Sequence, residues 1–421
     1  MKRTIINNTV SAGLFCGLCL LAEVGVGAER FGLLSLSQAE NMALQNDPLI
    51  AKVEASQESL QEKSVAAYSW PDPKFKYGVM NLNSETYILA EEPMTQVVYG
   101  LSQRIPPAGS LDAMAEKFEE MANATALEIQ DQKLKTLLNV RMAWMEVYYG
   151  HHAGKLISDS LNVFKQLEET TRYQYRAGRG NQQDVVRAQL EQSLLKDKKI
   201  NIHMMWEKSL ATLKKWVGNP NLMQDLDMAY PKLAIAPAAN SLRNGLERHP
   251  WLLAGRGNVQ AAQKGVEYAK AQRRPGWSVD LQYGQRDGNN RADLVSGMVM
   301  IDMPLFKSKR QDRLLQASQA DRVVAQKMYD DRRRAFYEKL EIGLAVYKQA
   351  DERLNLYETQ LLPQAQQNAE AALKAYQSGV SEFGIMVRAR LTELTSQLQH
   401  LRLVADKAKA QVELLYLAGG I

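Results

Sequence analysis

Five histidines and one histidine–methionine cluster are the side chains in this sequence best suited to metal or acid–base chemistry. The histidines are His151, His152, His203, His249 and His400. None has the His-Glu-x-x-His spacing that brings two imidazoles and a general base to one helix face. The cluster His203-Met204-Met205 precedes Trp206 in a helical pattern, which favours a buried or lumen-facing stripe over a metal site. We therefore predict no enzyme, with no catalytic residue, metal site or cofactor.

The bulk composition favours a helical protein and argues against a nucleic-acid partner. The 421 residues are 45% hydrophobic, 24% charged and 7% aromatic, and the formal net charge is +5. A surplus this small does not supply the basic face that nucleic-acid binding needs. Sparse aromatic residues favour helix over sheet.

Residues 1–28 have the pattern of a signal peptide. Lys2 and Arg3 precede an apolar run, and Val26-Gly27-Ala28 is a small-residue cleavage site. The only cysteines, Cys16 and Cys19, lie inside this segment, so the processed chain is expected to lack disulfides. No other apolar run reaches 18 residues, so we expect any membrane contact to use strands or a surface.

One turn sequence occurs twice, with its two copies 201 residues apart. The segment from Tyr175 to Leu190 reads YRAGRGNQQDVVRAQL, and the segment from Tyr376 to Leu391 reads YQSGVSEFGIMVRARL. Asp47-Pro48 likewise recurs as His249-Pro250, 202 residues apart. This near-constant offset predicts a tandem duplication, with a first repeat over 29–237 and a second over 238–421.

Each repeat is predicted to run helix, strand, strand, long helix, turn, helix. The strands are expected at about 73–82, 95–106, 276–286 and 294–304. In the third, Trp277, Val279, Leu281 and Tyr283 alternate with polar residues, which indicates one apolar and one polar face. Segments of about ten residues with this alternation are typical of outer-membrane barrel strands. The alternative is two ordinary hairpins packed on helices.

The helical segments are too long for a compact globule. From Val387 to Leu415 apolar residues recur at spacings of three and four, which predicts a coiled-coil seam. The matching helix is expected to use Val186, Leu190, Leu194, Ile202, Trp206 and Leu210. The stretches from Gly109 to Ala177 and from Lys309 to Ser378 would each span about 100 Å as helix. Pro363 is expected to kink or split the second stretch.

Four strands cannot close a transmembrane barrel, since an open edge in lipid leaves backbone groups unpaired. Two chains sharing one barrel would give eight strands and a filled lumen, and three would give twelve and leave room for a channel. The strand count alone leaves both possibilities open.

The signal segment, the duplicated plan and the doubled Tyr-x-x-Gly turn resemble the TolC family of outer-membrane efflux ducts. The resemblance covers essentially the whole processed chain, and Leu361-Leu362-Pro363 and the segment from Gly100 to Gly109 also carry it. It implies a mainly α fold with a small β part, in which a homotrimer shares a 12-stranded β-barrel above a periplasmic α-barrel. The most similar branch serves heavy-metal resistance–nodulation–division pumps.

The resemblance also implies partners and sites. The repeated turns would dock a periplasmic adaptor protein and an inner-membrane pump through Gly178, Arg179, Gly180, Asn181, Gly379, Val380, Ser381 and Glu382. Outer-membrane lipid would contact the strand residues Tyr77, Tyr99, Trp277 and Tyr283. The glycines by themselves would predict only tight helix ends.

A periplasmic gate is expected near the turns, but with a departure from the family pattern. Family members often carry acidic residues just past the second turn, and here that position is Ile385, whereas the first repeat has Asp184. Asp184, Arg187 and Arg388 are therefore the candidate gate residues. Alternatively, Asp184 only charges the first turn of a helix.

Together these features predict the exit duct of a tripartite efflux system, through which substrates pass passively from the periplasmic pump and adaptor to the outside. The protein is expected to lie in the outer membrane and to extend into the periplasm. Heavy-metal cations are the substrates that the branch implies. The alternative is a secreted or periplasmic coiled-coil scaffold without a pore.

Overall fold

The computed structural model describes residues 33–219, 226–288 and 290–419. The predicted signal peptide, and Asn289 of the second hairpin turn, lie outside these ranges. The first repeat contains α1 (Leu36–Asn46), α2 (Pro48–Tyr68), β1 (Lys74–Met80), β2 (Gln96–Ile105), α3 (Ser110–Arg176) and α4 (Gln182–Val217). The second contains α5 (Ala239–Gly245), α6 (Pro250–Ala271), β3 (Trp277–Gln285), β4 (Leu294–Ile301), α7 (Gln311–Leu356), α8 (Leu362–Gln377) and α9 (Phe383–Leu417).

Two proline-marked helix starts occupy equivalent positions in the repeats. The carboxylate of Asp47 accepts from the backbone N–H of Leu49 and caps α2, and Nδ1 of His249 accepts from Trp251 and caps α6. Each cap is followed by proline at the first helical position, where no N–H is needed. The first helical part of the first repeat therefore divides at Asp47 into α1 and α2.

His249 makes stability depend on pH. Its Nδ1 accepts from Trp251 at 3.2 Å and its Nε2 donates to the carbonyl of Tyr416 at 3.0 Å, so the cap needs a neutral ring. Burial, with the Lys135 charge, lowers the pKa of His249 against the opposing pull of Asp131 and the Tyr416 hydrogen bond. The unfolded pKa is about 6.5. The contribution of neutral His249 to the free energy of unfolding is therefore fully present above about pH 6.5. It is lost progressively below that pH, where the unfolded chain binds more protons than the folded one.

We expect His249→Asn to flatten this decline, because asparagine caps helices without titrating. Thermal midpoints of both proteins between pH 7.5 and 5 would measure it. Some slope should remain, since burial also lowers the pKa of His151. An equally steep decline in the variant would refute the assignment to His249.

Helix α3 organises the molecule along its length. Its 67 residues span about 100 Å. Toward its start it packs on α2 and α6, where a Cβ at Gly257 would lie only 2.9 Å from Cβ of Ala124. Toward its end it packs on α4 and α9, where Gly150 leaves space for Trp206. The length predicted from sequence is confirmed, and it separates the sheet from the helical turns.

The second long stretch is helical but not uniform. A π-helical turn at Tyr357–Leu361 separates α7 from α8, directly before Pro363. Proline has no N–H and clashes with the preceding turn, so a widened turn relieves the conflict. The predicted interruption at Pro363 is therefore confirmed as a π-turn.

The two returning helices bury different stripes. In α9 the predicted seam is largely buried, including Leu394, Leu398, Ala405 and Ala408. In α4 the prediction is partly wrong, because Val186, Leu190 and Leu194 are exposed within one chain. Ile202 and Leu210 are buried as predicted, and Ala188 and Leu195 share the buried face with Ile202 at a seven-residue spacing. The small side chain of Ala188 lets this face approach the other helices.

The four strands form one antiparallel sheet in the order β1-β2-β3-β4. The central pair, β2 and β3, joins the two repeats, and Tyr99 lies opposite Tyr283. Within the chain β1 and β4 are each paired on one side only. The sheet thus begins and ends on an open edge.

Candidate functional site

One face of the sheet, here called the outward face, is an apolar band. The predicted membrane-facing residues share this face, as the pairs Tyr77–Tyr99, Tyr99–Tyr283 and Trp277–Ile301 in the strand register require. All four of Tyr77, Tyr99, Trp277 and Tyr283 are exposed. Trp277 lies at the end of the sheet nearest the helices, and the three tyrosines lie toward the far end. Aromatic residues at both limits of an apolar band suit the two interfaces of a bilayer.

The inward face of the sheet is polar at its centre. Lys76 on β1 forms an ion pair with Asp280 on β3, and the Asp280 side chain is buried. Ser102, Ser278 and Gln282 lie on the same face according to the register. This separation of apolar and polar faces is what a strand needs between lipid and a water-filled lumen.

The first predicted docking turn is a tight helix end. Gly178 has φ 67°, a left-handed conformation that glycine adopts without strain. The N–H of Arg179 donates to the carbonyl of Gln174 at 2.9 Å, which completes a Schellman motif at the end of α3. Arg179 and Asn181 are exposed, Gly180 is half-buried, and α4 begins at Gln182.

The second predicted docking turn has the same backbone form. Gly379 has φ 75°, and the N–H of Val380 donates to the carbonyl of Ala375 at 2.9 Å. Val380 is 82% exposed, Glu382 is also exposed, and Ser381 is half-buried. The repeated sequence therefore specifies two equivalent turns, because glycine takes the left-handed conformation in both.

The structure brings the two turns together at one end of the molecule. The hydroxyl of Tyr376 donates to Oε1 of Gln174 at 2.8 Å across the two hairpins. A Cβ at Gly384 would lie 2.6 Å from Nη1 of Arg187, so the guanidinium rests against the backbone there. Phe383 is 1% exposed and stacks edge-on against Tyr376, with ring centroids 5.5 Å apart. No sequence pattern marks Gln174, Phe383 or Gly384 as functional, because their contacts join two hairpins that are distant in sequence.

The candidate gate residues divide between this contact and the surface. Asp184 and Arg187 are half-buried between the hairpins, whereas Arg388 is exposed. Burial raises the pKa of Asp184, the Arg187 charge opposes that rise, and Glu382 adds to it. Asp184 also lies in the first turn of α4, as the alternative interpretation required. Its position thus fits both interpretations.

Across 33–219, 226–288 and 290–419 there is no group of three or more His, Cys, Asp or Glu side chains arranged to hold a metal ion. No helix in those ranges has an apolar stretch long enough to cross a membrane.

Comparison with known proteins identifies the architecture. VceC of Vibrio cholerae, an outer-membrane protein, is similar over 91% of this chain and 96% of its own, with a TM-score of 0.79 at 18% identity. The CmeC outer-membrane channel of Campylobacter jejuni matches over 91% and 85%, with a TM-score of 0.79 at 13% identity. CusC matches over 92% of both chains, with a TM-score of 0.78 at 14% identity. At these identities the likeness shows a shared fold.

Sequence comparison supplies the family. No curated protein matches the chain. The family model for outer membrane efflux proteins matches residues 40–219 and 242–420, most of the sequence. The protein functions in efflux and is located in the outer membrane, with its helices extending into the periplasm. The chain therefore belongs to the outer membrane efflux protein family.

Proposed function

We propose that three copies of this chain form the exit duct of a tripartite efflux system. The observation that carries the proposal is the sheet, which is apolar outside, polar inside and unpaired at both edges. Joining β4 of one copy to β1 of the next would satisfy those edges. Three copies would give twelve strands, which supports a lumen wide enough for passage.

Exposed apolar residues on the helices support association of the copies. Val186, Leu190 and Leu194 form a stripe on α4 that nothing covers within one chain. Helix α7 exposes a second set along its length, namely Val323, Val324, Met328, Ile342 and Val346. Packing such stripes against a neighbouring copy would remove them from water. A ring of helices from three copies would then enclose the periplasmic conduit.

The far end of the conduit is the proposed docking and gating end. We propose that an adaptor protein and an inner-membrane pump of the resistance–nodulation–division type meet the two turns there. The exposed side chains of Arg179, Val380 and Glu382 are the best placed to touch a partner. Asp184 and Arg187 would control how closely the hairpins approach, because they lie between them. The resemblance to the heavy-metal branch supports heavy-metal cations as substrates.

The docking proposal predicts that Arg179→Glu combined with Val380→Asp abolishes efflux without affecting assembly. Reversing one charge and adding another at exposed positions should weaken adaptor binding about tenfold or more. Adaptor cross-linking and metal tolerance of cells that contain the adaptor and pump would measure this. A heat-modifiable trimer extracted from outer membranes would establish normal assembly.

Ile235→Asp is the matched control, because Ile235 is 90% exposed in the segment between α4 and α5. The control should retain both adaptor binding and tolerance. Normal cross-linking in the double variant would contradict docking at the turns. A soluble periplasmic monomer in place of the trimer would instead support the alternative function, a scaffold without a pore.

A further inference from the structure

The segment between β4 and α7 is both strongly apolar and strongly basic. Residues 303–310, here called the rim segment, read MPLFKSKR. Met303, Leu305 and Phe306 are 70%, 74% and 77% exposed. The basic residues that follow, Lys307, Lys309 and Arg310, are exposed as well. Large apolar side chains this open to water indicate a surface that meets something else.

The rim segment has a defined shape. The N–H of Leu305 donates to the carbonyl of Met303 at 2.8 Å, and the N–H of Lys309 donates to Phe306 at 3.2 Å. A short 3-10 helix covers Lys307–Lys309. Just before the segment, the N–H of Asp302 donates to the carbonyl of Gly276 at 2.9 Å and ties it to the start of β3. Its apolar side chains are therefore held outward by ordered backbone.

The first repeat has nothing comparable at the same place. Only residues 106–109, Pro-Pro-Ala-Gly, separate β2 from α3, whereas residues 302–310 separate β4 from α7. The additional residues of the second repeat are the ones that supply Phe306 and the three cations. Connecting a strand to a helix does not require them, since the shorter link achieves the same connection.

The position of the rim segment extends the apolar band of the sheet. Ile301 lies opposite Trp277 at the end of the sheet nearest the helices, and the segment follows directly. From Trp277 to Tyr283 the band covers about 20 Å along the strand at ~3.3 Å per residue. A tilt of ~40° reduces this to about 15 Å, less than the ~25 Å apolar height typical of such barrels. The rim segment adds apolar surface on the periplasmic side.

We propose that the rim segment binds anionic phospholipid in the periplasmic leaflet of the outer membrane. Met303, Leu305 and Phe306 lie among the acyl chains, and Lys307, Lys309 and Arg310 bind the lipid phosphates. Aromatic and apolar residues beside cations are the combination that interfacial binding uses. The proposal rests on the membrane-spanning sheet proposed above.

The charges favour lipid over a second copy of the chain as the occupant. Within the ranges that the structure describes, Lys307, Lys309 and Arg310 have no carboxylate within ion-pair distance. A neighbouring copy joined to β4 would bring the start of its β1, where one carboxylate, Asp72, accompanies Lys74 and Lys76. Lys76 is already paired with Asp280, and Asp72 is balanced by Lys74, so this region has no surplus negative charge to bind the rim segment, whereas lipid phosphates would neutralise it.

Spin labels would test the depth of the rim segment. The only cysteines lie in the predicted signal peptide, so Phe306→Cys gives one labelling site in the processed trimer. Leu281→Cys on the apolar face and Val380→Cys at the exposed turn are the references. In phosphatidylcholine–phosphatidylglycerol vesicles, we expect the label at 306 to resemble that at 281, with high access to oxygen and low access to a water-soluble nickel relaxant.

The other outcomes decide against the proposal in distinguishable ways. A label at 306 as open to the nickel relaxant as that at 380 overturns it. A label inaccessible to both relaxants overturns it too, because a second copy would then cover the segment. If the label at 281 is itself water-exposed, the membrane-spanning sheet fails and the proposed function fails with it.

A charge variant would test the lipid phosphates. Lys307→Ala, Lys309→Ala and Arg310→Ala together should weaken phosphatidylglycerol binding by about fivefold per cation, hence well over tenfold. Native mass spectrometry of the detergent-solubilised trimer, titrated with phosphatidylglycerol or phosphatidylcholine, measures this. The control removes three exposed cations from α4, Lys196, Lys198 and Lys199. An equal loss in the control, or equal binding of both lipids by the unaltered trimer, overturns the proposal.

Discussion

Leu281→Arg should prevent assembly of the channel in the outer membrane. Leu281 is the central residue of β3, lies on the outward face and is exposed there. An arginine at the midplane of a lipid-facing strand costs about 2–4 kcal/mol. Three copies would multiply that cost in one barrel. We expect the proposed heat-modifiable trimer to be absent from outer-membrane extracts of this variant, and efflux to be lost with it.

The adjacent residue provides the control for this prediction. Gln282 follows Leu281 and points to the opposite, inward face, where it lies opposite Gly100 and Ser296. Gln282→Arg adds the same charge to the lumen, so assembly should persist. Gel electrophoresis of unheated and heated membrane extracts distinguishes the two variants. If both assemble, or neither does, the outward face does not contact lipid.

Phe383→Ala should loosen the periplasmic end of the conduit. Phe383 is 1% exposed, stacks on Tyr376 and belongs to the apolar cluster shared by α3, α4, α8 and α9. Removing a buried phenylalanine costs about 3–5 kcal/mol. The loss falls on the region that holds the two turns together, so hydrogen exchange there should accelerate while the sheet is unaffected. We expect adaptor binding to fall because the turns lose their fixed spacing.

The duplication supplies a matched control for Phe383. Gln182 occupies the equivalent position in the first repeat, 201 residues earlier, and is exposed. Gln182→Ala should therefore leave exchange and adaptor binding unchanged. Equal exchange rates in the two variants would mean that Phe383 does not hold the turns together. The comparison tests whether the two turns, alike in backbone, have different roles.

Local pattern was enough to predict most of the elements. Alternation with a period of two predicts strands, and its apolar phase identified the outward face that carries Trp277 and Tyr283. The recurring Tyr-x-x-Gly predicted both turns, since glycine takes the left-handed conformation that a Schellman end requires. Pro363 indicated an interruption for an equally local reason, its missing N–H. The duplication was visible because both copies keep the same register.

The tertiary structure decided which surfaces meet. Sequence assigned Val186, Leu190 and Leu194 of α4 to the seam along with Ile202, but Ala188 and Leu195 are the residues that join Ile202 in the core, because several apolar stripes share that helix. No local sequence pattern predicts the bidentate ion pair between Glu146 and Arg402, which lie 256 residues apart. The contact of Tyr376 with Gln174 and the packing of Arg187 on Gly384 likewise depend on two distant hairpins lying side by side. Periodicity fixes what one segment does by itself, whereas the rotation of each long helix about its axis is set by shape and charge on its neighbours.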